Sequence, residues 1–200
     1  MRDDYNILIA GVGGQGNLVC GRVLCEAALQ NGLRPVAGET FGASRRGGTV
    51  LTHLRISKRD RGPLIPKGRA DLILGMEPLE TLRTAIEYAS QKTAAIFSTA
   101  TVETPSSLSD TEEYPPTDKI IESLRTLCGD VIALDPEESL KNSGGLRVLN
   151  SYMLGAMSVL RAFPLNKGAI RGAISTTLRN PEMNLAAYDA GTADVLKLSR

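Results

Sequence analysis

The chain has 200 residues, 42% of them hydrophobic and 22% charged, with a formal net charge of +1. That is the composition of one folded domain over 1–200, not of a disordered, collagenous or repeat protein. Aromatics reach only 4% with no tryptophan, and no apolar run approaches the roughly 18 residues of a membrane helix, which argues against a stacked nucleic-acid platform and against a spanning segment.

The N-terminal residues lead straight into a strand-like segment, leaving no room for a signal peptide. Three cysteines are too few for a disulfide framework and point to a reducing, cytoplasmic setting.

Residues 5–10 form a short apolar run ended by glycines, the pattern of a buried strand. Gly11, Gly13 and Gly16 follow, at the spacing of a dinucleotide-binding turn. Residues 17–29 then switch to a helical stripe of Leu18, Val19, Val23, Leu24, Ala27 and Ala28, stopped at Asn31-Gly32. Residues 34–38 read as a second strand, giving a βαβ unit with parallel strands. Residues 49–57 alternate as a half-buried strand with His53 on the outward side. Strands are expected at 71–76, 93–98 and 130–134, and a helix starts at Pro78. Residues 101–117 are a long surface loop rich in proline and serine. A helix over 118–127 has Asp118 as its N-cap. From Gly145 onward the pattern is helical, with one stripe through Leu149, Met153, Ala156, Met157 and Leu160 and another through Ala169, Ile170, Ala173 and Ile174. The expected fold is α/β: a three-layer α/β/α sandwich on a mostly parallel, Rossmann-like sheet, with a helical C-terminal third.

Charge is uneven. Residues 45–69 hold eight basic residues against Asp60 alone, a local +7 that leaves −6 for the rest. Such a segment is either a solvated loop or a site for phosphates or an acidic partner. Overlapping its start, Glu39-Thr40-Phe41-Gly42-Ala43-Ser44-Arg45-Arg46-Gly47-Gly48 places two arginines between glycines. Glycine lets backbone approach a ligand closely, and arginine offers a planar two-point contact to phosphate or carboxylate.

A nicotinamide site also needs an acid at the end of the second strand, where Glu39 is the one candidate. Cys20 and Cys25 are five apart on a helix, about 140° around its axis, so they do not share a tetrahedral metal. Cys128 is alone, and an iron–sulfur cluster usually needs four thiolates. All three read as buried or half-buried structural thiols, and no metal site is expected. His53 is read as an ordinary surface or interface histidine. Glu77 and Glu80 are read as helix-start acids favoured by the dipole. No catalytic set emerges, which suggests a subunit rather than a complete enzyme.

The stretches GVGGQGNLVCGRVLCEAA, GETFGASRRGGTVLTHLRIS, LIPKGRADLILGMEPLETLR, NSYMLGAMSVL and NPEMNLAAYDAG resemble, in this order, the gamma-type domain of 2-oxoacid:ferredoxin oxidoreductases. Within that family ETFGASRRGG and IPKGRAD are most similar to the beta subunits of the indolepyruvate branch. The resemblance implies oxidative decarboxylation of a 2-oxoacid, of indolepyruvate or arylpyruvate type, to an acyl-CoA, with coenzyme A as co-substrate and ferredoxin as electron acceptor. It implies a large partner subunit that carries thiamine diphosphate and the iron–sulfur clusters, so that the isolated chain is inactive. The residues it singles out for contact with coenzyme A or the partner are Gly13, Gly14, Gln15, Gly16, Thr40, Ser44, Arg45, Arg46, Gly47 and Gly48. The competing readings are a stand-alone nucleotide-binding dehydrogenase and a non-catalytic ferredoxin-docking module. No nucleic-acid or membrane partner is expected.

Overall fold

The computed structural model describes residues 4–42, 48–102, 114–161 and 163–198. Six strands form one sheet: β1 Asp4–Val12, β2 Arg34–Phe41, β3 Thr49–Ser57, β4 Leu72–Gly75, β5 Ala94–Ser98 and β6 Asp130–Leu134. Seven α-helices accompany them among the described residues: α1 Asn17–Gln30, α2 Pro78–Tyr88, α3 Thr117–Leu127, α4 Glu137–Leu140, α5 Leu149–Met157, α6 Lys167–Thr177 and α7 Pro181–Leu198. A 3-10 turn, Gly145–Val148, leads into α5.

The strand order is β2-β3-β1-β4-β5-β6. β1, β4, β5 and β6 are parallel neighbours. β3 is antiparallel to both β1 and β2. β1 and β2 therefore run in the same direction, as the βαβ reading requires, but β3 lies between them. The hairpin after β2 folds back into the gap under α1.

Insertion explains two departures from expectation. β2 continues three residues past Gly38 because Glu39, Thr40 and Phe41 pair with Thr52, Leu51 and Val50. β3 is covered on both faces, so His53 is buried and not on an outward face. Its Nδ1 accepts the Ile65 N–H at 3.2 Å, and its ring meets Tyr88 edge-on with centroids 5.4 Å apart. The segment after β3 is the cover: Pro63 sits so close to Gly38 that a Cβ there would lie 2.7 Å from the proline Cβ.

Two cores flank the sheet. On one face Ile7, Ile9, Leu54, Leu72 and Leu74 pack with α1, α5, α6 and α7. On the other, Leu8, Ala10, Leu51, Ile73 and Phe97 pack with α2 and α3. This is the expected three-layer sandwich. All nine residues of α5 are buried, as a helix enclosed between a sheet and other helices must be.

Helix boundaries follow local chemistry. α1 stops at Asn31, where the Gly32 and Leu33 N–H groups return to Leu29 and Ala28 carbonyls and Gly32 takes a φ of 67°. Pro78 opens α2, with Glu77 as its N-cap. α3 departs from expectation: Pro116 holds the N-cap position, no side chain caps it, and Asp118 lies inside the first turn. Most of the expected 101–117 loop lies outside the described residues.

Candidate functional site at the switch point of the sheet

β1 is followed by a helix on one face of the sheet and β4 by a helix on the other. Adjacent parallel strands whose helices diverge leave a crevice at their C-terminal ends, where open α/β sheets bind ligands. The glycine turn is one wall of that crevice. Gly14 and Gly16 adopt φ values of 111° and 87°, in the left-handed region that side chains disfavour. Gly11 is needed for space, since a Cβ would lie 2.7 Å from Gln15 Oε1 and 3.0 Å from Met76 Cβ.

Gln15 does not face a ligand. Its Oε1 accepts the Val12 N–H at 2.8 Å and its Nε2 donates to the Met76 carbonyl at 3.0 Å. The side chain thereby braces the turn against the end of β4. Asn17 anchors the helix behind it through Nδ2 to the Val50 carbonyl at 2.7 Å.

Gly16 is the N-cap of α1 and supplies no side-chain acceptor, and the first turn holds no acidic residue. The early N–H groups of a helix point outward, and the dipole favours an anion there. Gly14 is exposed, and the place of its missing Cβ is open space.

The second glycine-rich stretch reaches the same place. The Gly13 N–H donates to the Gly48 carbonyl at 2.9 Å, and the Gly42 N–H to Thr49 at 2.9 Å. Gly13, Gly14, Gly16 and Gly48 thus form one cluster. Thr40 does not join it at α1: it is in register with Leu51 and Ala10 on the α2 face of the sheet. Ser44, Arg45, Arg46 and Gly47 lie outside the described residues.

The +7 segment is divided by β3. Arg55 and Arg61 sit at the far end of the sheet, both paired with Asp4, and Lys67 pairs with Glu87.

The opposite wall of the crevice was not legible as a cluster. Glu77 and Glu80 stand at the helix start as expected, Glu77 as N-cap and Glu80 in the first turn, and they are 1% and 2% exposed. Glu77 Oε2 accepts the Glu80 N–H at 2.8 Å, and the Tyr114 hydroxyl donates to Glu77 Oε1. Burial pushes the Glu77 carboxyl above its ordinary range, opposed by these hydrogen bonds. Glu80 pairs with Arg83 at 2.6 Å. Tyr114 lies 37 residues from Glu77, and no local pattern joins them. The same edge of the sheet carries a cavity of about 830 Å³ bordered by Thr99, Thr101, Asp135, Glu137, Lys141 and Leu146.

The thiols are dispersed. Cys20 and the half-buried Cys25 belong to the core on the α1 face, and Cys128 to the core on the other. Burial pushes the Cys128 thiol up to about 11. The cysteines of this chain therefore do not gather an iron–sulfur ligand set.

The inserted strand also bears on nicotinamide binding. A dinucleotide fold places the second strand beside the first, so that an acid at its end reaches the ribose. Here Glu39 sits two strand spacings from β1, roughly 10 Å, and faces a small cleft with Arg22 and Glu26.

Comparison with known proteins gives one consistent picture. Residues 6–193 match the family described as pyruvate ferredoxin/flavodoxin oxidoreductase. The chain is 34% identical over 190 residues to the indolepyruvate oxidoreductase subunit IorB of Methanothermobacter thermautotrophicus, covering 94% of this chain and 96% of that one. Its fold is that of the gamma subunit of a keto/oxoacid ferredoxin oxidoreductase from Geobacter sulfurreducens, with TM-score 0.69, 22% identity, and 96% and 99% of the two chains covered. It is also that of part of the 2-oxoglutarate:ferredoxin oxidoreductase of Magnetococcus marinus, solved with 2-oxoglutarate, coenzyme A and succinyl-CoA bound. There the TM-score is 0.70 at 20% identity, covering 98% of this chain and 32% of that one.

Proposed function

The chain belongs to the pyruvate ferredoxin/flavodoxin oxidoreductase family, and from that premise we propose that it is the small, gamma-type subunit of an indolepyruvate-type 2-oxoacid:ferredoxin oxidoreductase. It acts as one unit over 1–200, in the cytoplasm, bound to a large catalytic subunit. The complex converts an arylpyruvate and coenzyme A to an acyl-CoA and carbon dioxide, passing two electrons to ferredoxin. Thiamine diphosphate, in the large subunit, supplies the carbanion stabilisation that decarboxylation needs. The iron–sulfur clusters belong there too.

The role of this chain is to complete the binding surface. The turn of Gly13, Gly14 and Gly16 and the loop of Ser44, Arg45, Arg46, Gly47 and Gly48 are assigned to the phosphates of coenzyme A or to an acidic surface of the large subunit, whereas Thr40, on the α2 face of the sheet, is not. The observation that carries this is the Gly13–Gly48 hydrogen bond. It joins Gly48, which follows the two arginines in sequence, to the turn that precedes the uncapped start of α1. Backbone N–H groups at a helix start and arginine guanidinium groups are the donor types that bind such an anion. Gln15 contributes by bracing the turn.

The double variant Arg45→Ala/Arg46→Ala tests the site. Loss of two charge-assisted contacts should raise the KM for coenzyme A by about tenfold or more with a smaller change in kcat, or release the small subunit in gel filtration. Wild-type kinetics in a wild-type assembly would remove these arginines from the site.

A further inference from the structure

The end of the sheet opposite the glycine turn carries a separate cavity of about 620 Å³, within the 300–1,000 Å³ typical of small-molecule pockets. It lies where β1, β4, β5 and β6 begin, beneath the segment that follows α5. Its floor is apolar. Tyr5, Ile56, Leu160 and Phe163 line it, all packed on the core of the α1 face. The Tyr5 and Phe163 rings meet edge to face with centroids 5.8 Å apart.

The charged groups of the rim fall into two sets. Asp4 is held by its own neighbours: it accepts from Ser57 Oγ at 2.7 Å and pairs with Arg61 at 3.0 Å. Asp71 accepts the Asn6 N–H at 2.9 Å. Lys92, Arg161 and Asp130 also line the cavity and are exposed. Among the described residues none of these three makes an ion pair or a side-chain hydrogen bond. Two cations and one anion, uncommitted, thus stand over an aromatic floor.

That set is the complement of a small organic anion with a flat apolar body. Arginine meets a carboxylate through two parallel N–H groups, and lysine adds a compact positive charge. An edge-to-face ring pair presents both a ring edge and a ring face to a third ring.

We propose that this cavity binds a small aryl carboxylate, its ring against Tyr5 and Phe163 and its carboxylate between Lys92 and Arg161. The proposal rests on the cavity and does not depend on the oxidoreductase reading.

Isothermal titration of the full chain with phenylacetate tests it. Saturable binding is expected, and acetate, which lacks the ring, and phenethylamine, which reverses the charge, should each bind at least about tenfold more weakly. Lys92→Ala/Arg161→Ala should weaken phenylacetate by about tenfold or more. Both side chains are exposed, so the fold is retained, and circular dichroism checks that. Asp130→Asn removes the free negative charge and should leave binding unchanged or tighter. Absence of saturable heat, equal binding of phenethylamine, an unaffected double variant, or weaker binding by Asp130→Asn would each overturn the assignment.

Discussion

Gly155→Ala is expected to destabilise the protein by about 3 kcal/mol or more, near the upper end for overpacking. Gly155 in α5 and Gly191 in α7 face each other where the helices cross. A Cβ on Gly155 would lie 1.9 Å from the Tyr188 carbonyl oxygen and 2.7 Å from its carbon, and one on Gly191 would lie 2.0 Å from the Tyr152 oxygen. These atoms are backbone, so no rotamer change relieves the clash. The helices must separate, and α5 is the fully buried one. Of the 5–15 kcal/mol typical of a domain, this is a large share. Thermal melting should show a fall of about 6–12 °C. Gly172→Ala in α6 is the control, because its nearest neighbour would be Gln30 Oε1 at 3.6 Å, an ordinary contact. That change should stabilise by about 0.5–1 kcal/mol through helix propensity. Equal melting of Gly155→Ala and wild type would mean that the helices do not cross so closely.

Gly16→Ala carries the second large effect, at the functional edge. Residue 16 has a φ of 87°, and a Cβ there would lie 2.9 Å from Asn150 Nδ2. The left-handed backbone alone costs roughly 1–2 kcal/mol. The contact with Asn150 adds to it and tilts the start of α5 away from the first turn of α1. Gly14→Ala separates the two causes, because its φ is 111° but nothing lies within 4 Å of the new methyl. Gly16→Ala should therefore be the more damaging. Asn150→Ala should rescue part of Gly16→Ala and none of Gly14→Ala, a coupling of about 0.5 kcal/mol or more in urea unfolding. On the proposed coenzyme A site, Gly16→Ala in the assembled complex should also raise the KM for coenzyme A by about tenfold or more, through loss of the charge-assisted contacts proposed at the helix start. Equal damage from the two glycine changes would contradict the packing of α5 on the turn.

What could be read from the sequence was what local chemistry determines. The glycine turn, the stop of α1 at Asn31-Gly32, Pro78 at the start of α2 and the buried stripes of α5 and α6 each depend on neighbours within a few residues. The layered α/β class followed from their order. The position of β3 did not. A strand covered on both faces loses its alternation, and no residue in 42–48 states that the hairpin returns between β1 and β2. His53 was misplaced for that reason: its second cover comes from Pro63 and Ile65, which reach it only through the tertiary fold. The Glu77–Tyr114 pair was missed because a carboxylate at a helix start has the same local signature whether solvated or buried. The +7 run was visible, but the meeting of Arg55 and Arg61 on Asp4 at the far end of the sheet required the strand order. The convergence of Gly13–Gly16 with Gly48 was suggested by the two glycine-rich loops and is made by a single backbone hydrogen bond.

The same strand order separates the oxidoreductase-subunit reading from the dehydrogenase one. A turn with dinucleotide spacing is useful for nicotinamide only when the acid of the next strand lies beside it. With β3 inserted, the turn keeps its uncapped helix start and loses that partner. Thermal shift with millimolar NAD(P) should accordingly leave the melting temperature unchanged.

Completion of a two-subunit oxidoreductase is the role proposed for this chain. It is tested most directly by co-expressing it, affinity-tagged, with the large subunit of an indolepyruvate-type oxidoreductase and assaying the purified material for coenzyme A-dependent reduction of ferredoxin by indolepyruvate. A large subunit carrying thiamine diphosphate and iron–sulfur clusters is expected to be retained with the tagged chain, and turnover to require both. Recovery of the tagged chain alone, or full turnover by the large subunit without it, would contradict the account.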